Sequence, residues 1–307
     1  MLYVLYADGD SLLHRETDEP VIKQDVEFMS QGVTLRGWLY IPEGEGPHPA
    51  VVVAHSGLTG VKEGFLHHDF PGVIAGGGFI VVVYDHPTLG ASDGLPRGDL
   101  DPIAQQRAYR DAITFLLDRS DVDADRVGIW GTSYSGGHVL EVAASDRRIK
   151  AVVAQVPTIS GRRNTANRHT PEVLAELRHQ WAEDRLNTFR GGEPMRMQPL
   201  PDVNMFSSLP PECSVNWRNQ VTIRTMEMYA EYEPAANIDK IGPTALCMII
   251  CDQDAMTSTE DEVAAFERAL EPKSLVVLPG GHHVVYFEEF ERASAAARDW
   301  FIEHLKA

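Results

Sequence analysis

Six short runs of the chain are continuously apolar and rich in β-branched residues: Ala50–Ala54, Phe79–Tyr84, Val127–Trp130, Ala151–Ala154, Ala245–Ile250 and Leu275–Leu278. A strand that shows neither face to water has no polar alternation, so such runs predict the buried strands of a parallel sheet covered on both sides. The segments between them carry helical patterns. Asp101-Pro102 offers an N-cap and a first-turn proline ahead of a helix over Ile103–Leu117. Thr259 and Glu262 have the spacing of a capping box for a helix reaching Leu270, and Phe287–Leu305 reads as a closing helix. Ahead of the first buried run, Lys23–Met29 and Val33–Ile41 alternate around Ser30-Gln31-Gly32, which predicts an antiparallel hairpin. Pro42–Pro49 reads as a loop, and a short extra strand is expected at Leu2–Tyr6.

The rhythm breaks once. Between Pro157 and Ile241, roughly eighty residues separate two strands that a minimal α/β unit would join in far fewer. Helical patterns occupy Pro171–Phe189 and Trp217–Tyr232, with a loop rich in Gly, Pro and Met over Gly191–Pro211. The expected division is a core of residues 1–156 and 242–307 with a helical cap, 157–241, inserted over the sheet. A peripheral insertion with no part in the site is the alternative. No internal repeat is visible.

Candidate chemistry concentrates where the third buried run ends. Val127–Trp130 leads straight into Gly131-Thr132-Ser133-Tyr134-Ser135-Gly136-Gly137, followed by the apolar helix positions Val139, Leu140, Val142 and Ala143. A serine at the tip of a sharp strand-to-helix turn is held at a strained backbone angle, so its neighbours must be small. Gly131 meets that need before Ser133. After it, where glycine is usual, stands Ser135, and the glycines are delayed to Gly136 and Gly137. A serine hydroxyl is a weak nucleophile and needs a general base that is itself oriented by an acid. Both are offered on loops that follow later strands. Ala245–Ile250 runs into Cys251-Asp252-Gln253-Asp254, where Asp254 is favoured because it stands further out on the loop, with Asp252 as the fallback. Leu275–Leu278 runs into Pro279-Gly280-Gly281-His282-His283, where His282 is favoured over His283. Amides to hold an oxyanion are expected from Tyr134 and from Leu58 or Gly57, in the loop after Ala50–Ala54.

Composition narrows the partners. Hydrophobic residues make up 43% and charged residues 23%, ordinary for a globular protein. A net charge of −18 argues against nucleic acid and against anionic membrane surfaces, both of which would repel it. The odd set Cys213, Cys247 and Cys251 has no framework spacing and fits a reducing compartment. Cys247 and Cys251 would lie about 13 Å apart along a strand, too far to pair. There is no basic, apolar leader pattern, and no apolar run reaches the ~18 residues of a membrane helix. A cytoplasmic protein is expected, acting on a small molecule, with no cofactor and no metal; self-association is left open. His67-His68-Asp69 has metal-ligand residue types, but adjacent side chains alternate faces and no further ligand set accompanies them. Asp85-His86 is expected to tie down the loop Pro87–Asp93, with contact to substrate as the alternative, and Arg162, Arg163 and Arg168 to be solvated, unless one meets an acidic substrate. Phe206, Trp217, Met226 and Tyr229 are candidates for an apolar pocket under the cap, with some such residues expected to form the cap's own core.

On these residues the chain resembles a serine α/β-hydrolase of the dienelactone-hydrolase-like and X-prolyl-peptidase-like branch. That branch carries a Gly-x-Ser-Tyr/Phe-x-Gly elbow, matched here from Gly131 to Gly136 with its delayed glycine. The chain is also similar to bacterial hydrolases and to fungal polyketide transferases and thiohydrolases at Gly131–Leu140, Trp217–Arg224, Glu231–Ala236 and Pro279–His282. The similarity covers about residues 22–305. It implies an α/β-hydrolase fold: a mostly parallel, doubly wound sheet with an N-terminal antiparallel hairpin and an inserted helical cap. It implies a triad of Ser133, Asp254 and His282 that cleaves an ester, thioester or related acyl bond through an acyl-enzyme on Ser133. Two departures stand out. Dienelactone hydrolases proper use cysteine where this chain has Ser133, and Ser56 is inserted into the common His-Gly of the first loop. Acyl transfer and C–C hydrolysis would use the same triad, and a non-catalytic ligand-binding protein of this fold is the reading from another class.

Overall fold

The computed structural model describes residues 3–4, 21–199 and 210–306. Strands β1 (Tyr3–Val4), β2 (Val21–Ser30), β3 (Val33–Pro42), β4 (His48–Ala54) and β5 (Ile80–Tyr84) are followed by β6 (Val122–Thr132) and β7 (Ile149–Gln155). Two short strands, β8 (Arg196–Met197) and β9 (Val221–Thr222), precede β10 (Ala245–Cys251) and β11 (Lys273–Leu278). Nine of these form one sheet in the order β1-β11-β10-β7-β6-β4-β5-β3-β2. Every pairing from β1 to β5 is parallel; β5·β3 and β3·β2 are antiparallel. The hairpin closes with Ser30 opposite Val33, around Gln31 and Gly32 at φ 49° and 81°. Two consecutive positive φ values give the turn whose twist matches that of the strands it joins. Of the expected strand at Leu2–Tyr6, only Tyr3 and Val4 lie within the described residues.

The apolar runs are continuous because each strand feeds two cores. Val52, Val82, Ile129 and Val152 pack against helices α2 (Pro102–Leu117) and α3 (Tyr134–Ser145). Their neighbours Val51, Val53, Val81 and Val153 point the other way, onto α1 (Phe70–Gly76) and the C-terminal helix Phe290–Leu305. Period-two alternation between two apolar layers reads in sequence as no alternation at all. Cys247 and Cys251 both belong to the second core and are free thiols.

Between β7 and β10 the chain inserts α4 (Gly161–Arg168), α5 (Pro171–Phe189), β8, β9 and α6 (Ile223–Glu231), and after β10 comes α7 (Thr259–Arg268). The C-terminal helix is α8. Three segments differ from the sequence pattern. The helix foreseen over Trp217–Tyr232 forms only from Ile223, because the Thr222 and Ile223 amides donate to Gly98 O at 2.9 Å and Met195 O at 2.8 Å, which holds the preceding chain extended. The capping box of Thr259 and Glu262 does not form. Ser258 is the N-cap, Thr259 Oγ1 donates to Cys251 O at 2.6 Å, and Glu262 is fully buried. The closing helix starts at Phe290, after a 3-10 turn at Val284–Tyr286. The insert is tied to the core by Leu100 N donating to Thr225 Oγ1 at 2.9 Å and by the pairs Arg224–Asp99 and Arg163–Asp261, while Gly161 N donating to Tyr232 O at 2.7 Å joins its first helix to its last. No helix among the described residues is long and apolar enough to cross a membrane.

Candidate active site

The parallel strands end on one edge of the sheet, where their loops converge. Ser133 follows β6 directly and sits at φ 58°, ψ −117°, a conformation a non-glycine residue adopts only when its surroundings impose it. Its amide donates to Gln155 O at 2.8 Å, and its carbonyl accepts from Thr158 N at 2.9 Å and Gly137 N at 3.2 Å. The small neighbours are needed: a Cβ on Gly131 would lie 2.3 Å from Ser135 O, and one on Gly137 would lie 2.8 Å from Thr158 O.

His282 Nε2 stands 3.0 Å from Ser133 Oγ, and His282 Nδ1 stands 2.7 Å from Asp254 Oδ2. Both His282 and Asp254 are 5% exposed. Burial alone would raise the Asp254 pKa. The hydrogen bond and charge of His282, with donors from Thr257, outweigh it and bring the carboxyl down to about 2. Met256 N and Thr257 N donate to Asp254 Oδ1 at 2.7 and 3.0 Å, and Thr257 Oγ1 lies 2.8 Å from Oδ2. Asp252 does different work. It accepts from Gly280 N at 2.7 Å while Gln253 N donates to Gly280 O at 3.0 Å, so the acid loop and the histidine loop are clipped together. His283 lies beside His282 and is held neutral, its pKa lowered to about 4 by burial.

Tyr134 is the first residue of α3, so its amide has no acceptor within the helix. The loop of Gly57 and Leu58 faces it, and Ser135 explains how. Ser135 Oγ donates to His55 O at 2.7 Å, tying the elbow to that loop. Because this uses the hydroxyl proton, His86 Nε2, 3.0 Å away, is the donor to Ser135. Gln105 Nε2 donates to Gly57 O at 2.8 Å, while Gln105 Oε1 accepts from His138 Nε2 at 2.6 Å. His138 Nδ1 in turn accepts from the Tyr232 hydroxyl at 3.0 Å. Burial lowers the pKa of His86 to about 3 and of His55 to about 4, so the network is uncharged at neutral pH. None of these ties was legible beforehand, apart from the delayed glycine that put a hydroxyl at position 135.

A cleft open on one side to solvent reaches Ser133 and His282 and is walled by Leu58, Phe65, Trp217 and Tyr286. Among the described residues, no Asp, Glu, Lys or Arg lines it. Of the four pocket candidates, Trp217 lines the cleft. Tyr229 packs with Tyr134 and Tyr232, and Met226 packs between that cluster and Leu89, Leu100 and Val221. Phe206 lies outside the described residues. His68 lines the cleft and meets the Phe287 ring, while Asp69 caps α1 through Gly72 N at 2.8 Å. The expected tie at Asp85 is present, with Ala91 N at 2.8 Å and Ser92 Oγ on its carbonyl at 2.6 Å. Asp85 also closes a buried group the sequence did not flag. Lys62 Nζ lies 2.7 Å from Glu63 Oε1 and 3.1 Å from Asp85 Oδ2, and Asn216 of the insert donates to Glu63 Oε1 at 2.9 Å. Arg162, Arg163 and Arg168 are exposed; Arg163 pairs with Asp261, and Arg168 donates to Met256 O.

The family model of the X-Pro dipeptidyl-peptidase (S15 family) matches residues 31–283. Polyketide transferase grgF of Penicillium sp is 28% identical over 298 residues, covering 92% of this chain and 97% of its own. Thiohydrolase aneE of Aspergillus aculeatus is 29% identical over 284 residues, covering 86% of this chain and 85% of its own. The crystal structure of the α/β hydrolase GrgF from Penicillium sp. sh18 superposes with a TM-score of 0.81 at 27% identity, over 93% of this chain and 100% of that one. With the sheet, elbow and converging loops already in place, these matches make the chain a member of the S15 (X-Pro dipeptidyl-peptidase) family, a serine-type hydrolytic enzyme on the α/β-hydrolase fold.

Proposed function

We propose that the protein cleaves an ester or thioester of an uncharged acyl group through an acyl-enzyme on Ser133. The unbroken line from Ser133 Oγ through His282 to Asp254, at 3.0 and 2.7 Å, carries this reading. Ser133 Oγ attacks the acyl carbon as its proton passes to His282 Nε2, and Asp254 balances the imidazolium. The amides of Tyr134 and of Leu58 or Gly57 take the oxyanion. His282 returns the proton to the leaving oxygen or sulfur as that bond breaks. A water molecule then gives a proton to His282 and its oxygen to the acyl carbon, and as the bond from that carbon to Ser133 Oγ breaks His282 returns the proton to Oγ, freeing the acid.

The lining of the cleft supports the substrate class. Its described lining residues include no carboxylate and no lysine or arginine, and burial lowers the pKa of the histidines His55, His68 and His283 to about 4 each. A substrate carrying an ammonium or carboxylate into that space would lose its hydration with no partner to replace it. This favours an apolar acyl ester or thioester over a peptide with a free amino terminus. Residues 157–241 act as a cap, since Cys213, Ser214 and Trp217 contribute to the wall of the cleft. Three free thiols fit a reducing, cytoplasmic setting. A second reading, transfer of the acyl group to an alcohol or amine, is favoured by the relative named a polyketide transferase and needs no further residue.

A fluorophosphonate probe followed by peptide mapping tests the nucleophile. One adduct is expected, on Ser133, with Ser133→Ala lowering turnover of p-nitrophenyl esters by at least about 1000-fold. An adduct on Ser135, or no loss in the alanine variant, overturns the assignment. Adding an alcohol to the assay separates hydrolysis from transfer by the ratio of acid to new ester.

A further inference from the structure

We propose that Glu262 is a positioning residue for the triad: it is held as a neutral acid whose O–H donates to Thr257, so that the one hydroxyl proton of Thr257 is aimed at Asp254. The role assigned to Asp254 rests on the proposed function; the protonation of Glu262 does not.

Thr257 Oγ1 lies 2.8 Å from Asp254 Oδ2, 3.0 Å from Glu262 Oε1 and 3.4 Å from His282 Nδ1. A threonine hydroxyl has one proton and can satisfy one of these. His282 Nδ1 is already committed as donor to Asp254 Oδ2 at 2.7 Å. Asp254 has no proton to give, because its oxygens accept from Met256 N, Thr257 N and His282. Were Glu262 ionised as well, two buried carboxylates would compete for one hydroxyl proton, and the loser would face a lone pair.

The surroundings of Glu262 offer an anion nothing else. Its side chain is fully buried, and its Oε2 has no hydrogen-bond partner. A carboxylate with an orphaned oxygen in such a place is costly, whereas the carbonyl oxygen of a neutral acid is much less so. The charged groups that bear on it are Asp254 from the acid loop and Asp261 from its own helix, both anionic. Arg163, on α4, is paired with Asp261. From β10 the neighbour is Cys251, whose thiol burial keeps neutral, and from the histidine loop it is His282, already paired with Asp254. The α7 dipole favours anions in its first turn, but Glu260 and Asp261 already occupy that turn nearer to solvent. Burial, followed by the Asp254 charge, accordingly pushes the Glu262 carboxyl well above the usual range.

One added proton resolves the conflict. Glu262 O–H donates to Thr257 Oγ1, Thr257 O–H donates to Asp254 Oδ2, and Asp254 remains the single anion behind His282. The relay moves no proton in turnover; it sets the direction of one.

Glu262→Gln keeps a donor, its amide N–H, at the same place, and Glu262→Leu removes it. The leucine variant is expected to lose about tenfold in kcat with little change in KM. The glutamine variant is expected to recover most of that loss, with the acid limb of its kcat/KM profile at the wild-type pH. A move of that limb on Glu262→Gln means that a charge was removed, and overturns the proposal. Thr257→Val should lose as much as Glu262→Leu, with no further loss in the double variant.

Two readouts need no activity and no leucine variant. A group neutral in the fold but ionised when unfolded costs stability as pH rises above its unfolded value, about 4.3 for glutamate. The Tm of Glu262→Gln should therefore gain on wild type as pH is raised from about 4 to 7. A protonated-carboxyl C=O infrared band should be present in wild type at neutral pH and missing in Glu262→Gln. A constant Tm gap, or no such band in wild type, overturns the proposal whatever Ser133 does.

Discussion

Asp252 and Asp254 are chemically identical and two positions apart, yet they do unrelated things. Asp254 points inward to His282 and two backbone amides, while Asp252 points out to Gly280 N. Asp254→Asn is expected to lower kcat by about 10³ to 10⁴, because a neutral amide cannot balance the imidazolium or fix its tautomer. Asp252→Asn, which keeps an acceptor for Gly280 N, should stay within about threefold of wild type in the same assay. The depressed Asp254 pKa also carries a pH signature. Its folded value of about 2 lies below the unfolded value of about 3.9, so its contribution to stability is present above pH 4 and is lost as pH falls toward 2. Thermal unfolding across that window should show a shallower acid decline in Asp254→Asn than in wild type.

At the scale of elements, the elbow works because α3 sits hard against its surroundings. A Cβ on Gly137 would meet Thr158 O at 2.8 Å and Pro234 at 2.9 Å, and the first of these is backbone that cannot swing aside. Gly137→Ala should cost about 1–3 kcal/mol of stability. It should also reduce fluorophosphonate labelling at Ser133, since relief of the clash moves the start of α3 and the Tyr134 amide. Helix α7 shows how far local signals reach. Thr259 and Glu262 have capping-box spacing, but the acid loop needs Thr259 Oγ1 for Cys251 O and Asp254 N, so the cap falls to Ser258. Glu262 then turns inward to Thr257. The spacing was readable; the competition for those side chains was not.

For the molecule as a whole, the insert matters through where it touches the core. Asn216, next to the cleft residue Trp217, donates to Glu63 within the buried group of Lys62, Glu63 and Asp85. Asn216→Ala removes the side chain that ties this stretch down and leaves the Ser133–His282–Asp254 line untouched. Steady-state kinetics on an apolar thioester should show KM raised several-fold with kcat nearly unchanged, the pattern of lost substrate binding.

The sheet, the hairpin, the elbow, and the two loops that bring an acid and a histidine to it are all legible along the chain. Each of these is a local matter. Apolar runs of strand length mark buried strands, Gln31 and Gly32 lie in the turn segment that was read, and small residues flank Ser133 because its turn leaves no room. Loop position after a strand was enough to point to Asp254 and His282, since parallel strands deliver their loops to one edge. The partners of Ser135, Thr257, Glu262 and Asn216, and the packing of Tyr229 and Met226 away from the cleft that Trp217 lines, emerge only once the elements are assembled. These partners lie on other elements or face inward at a helix start, and no periodicity of the chain encodes which polar atom will meet which once burial has removed the water between them.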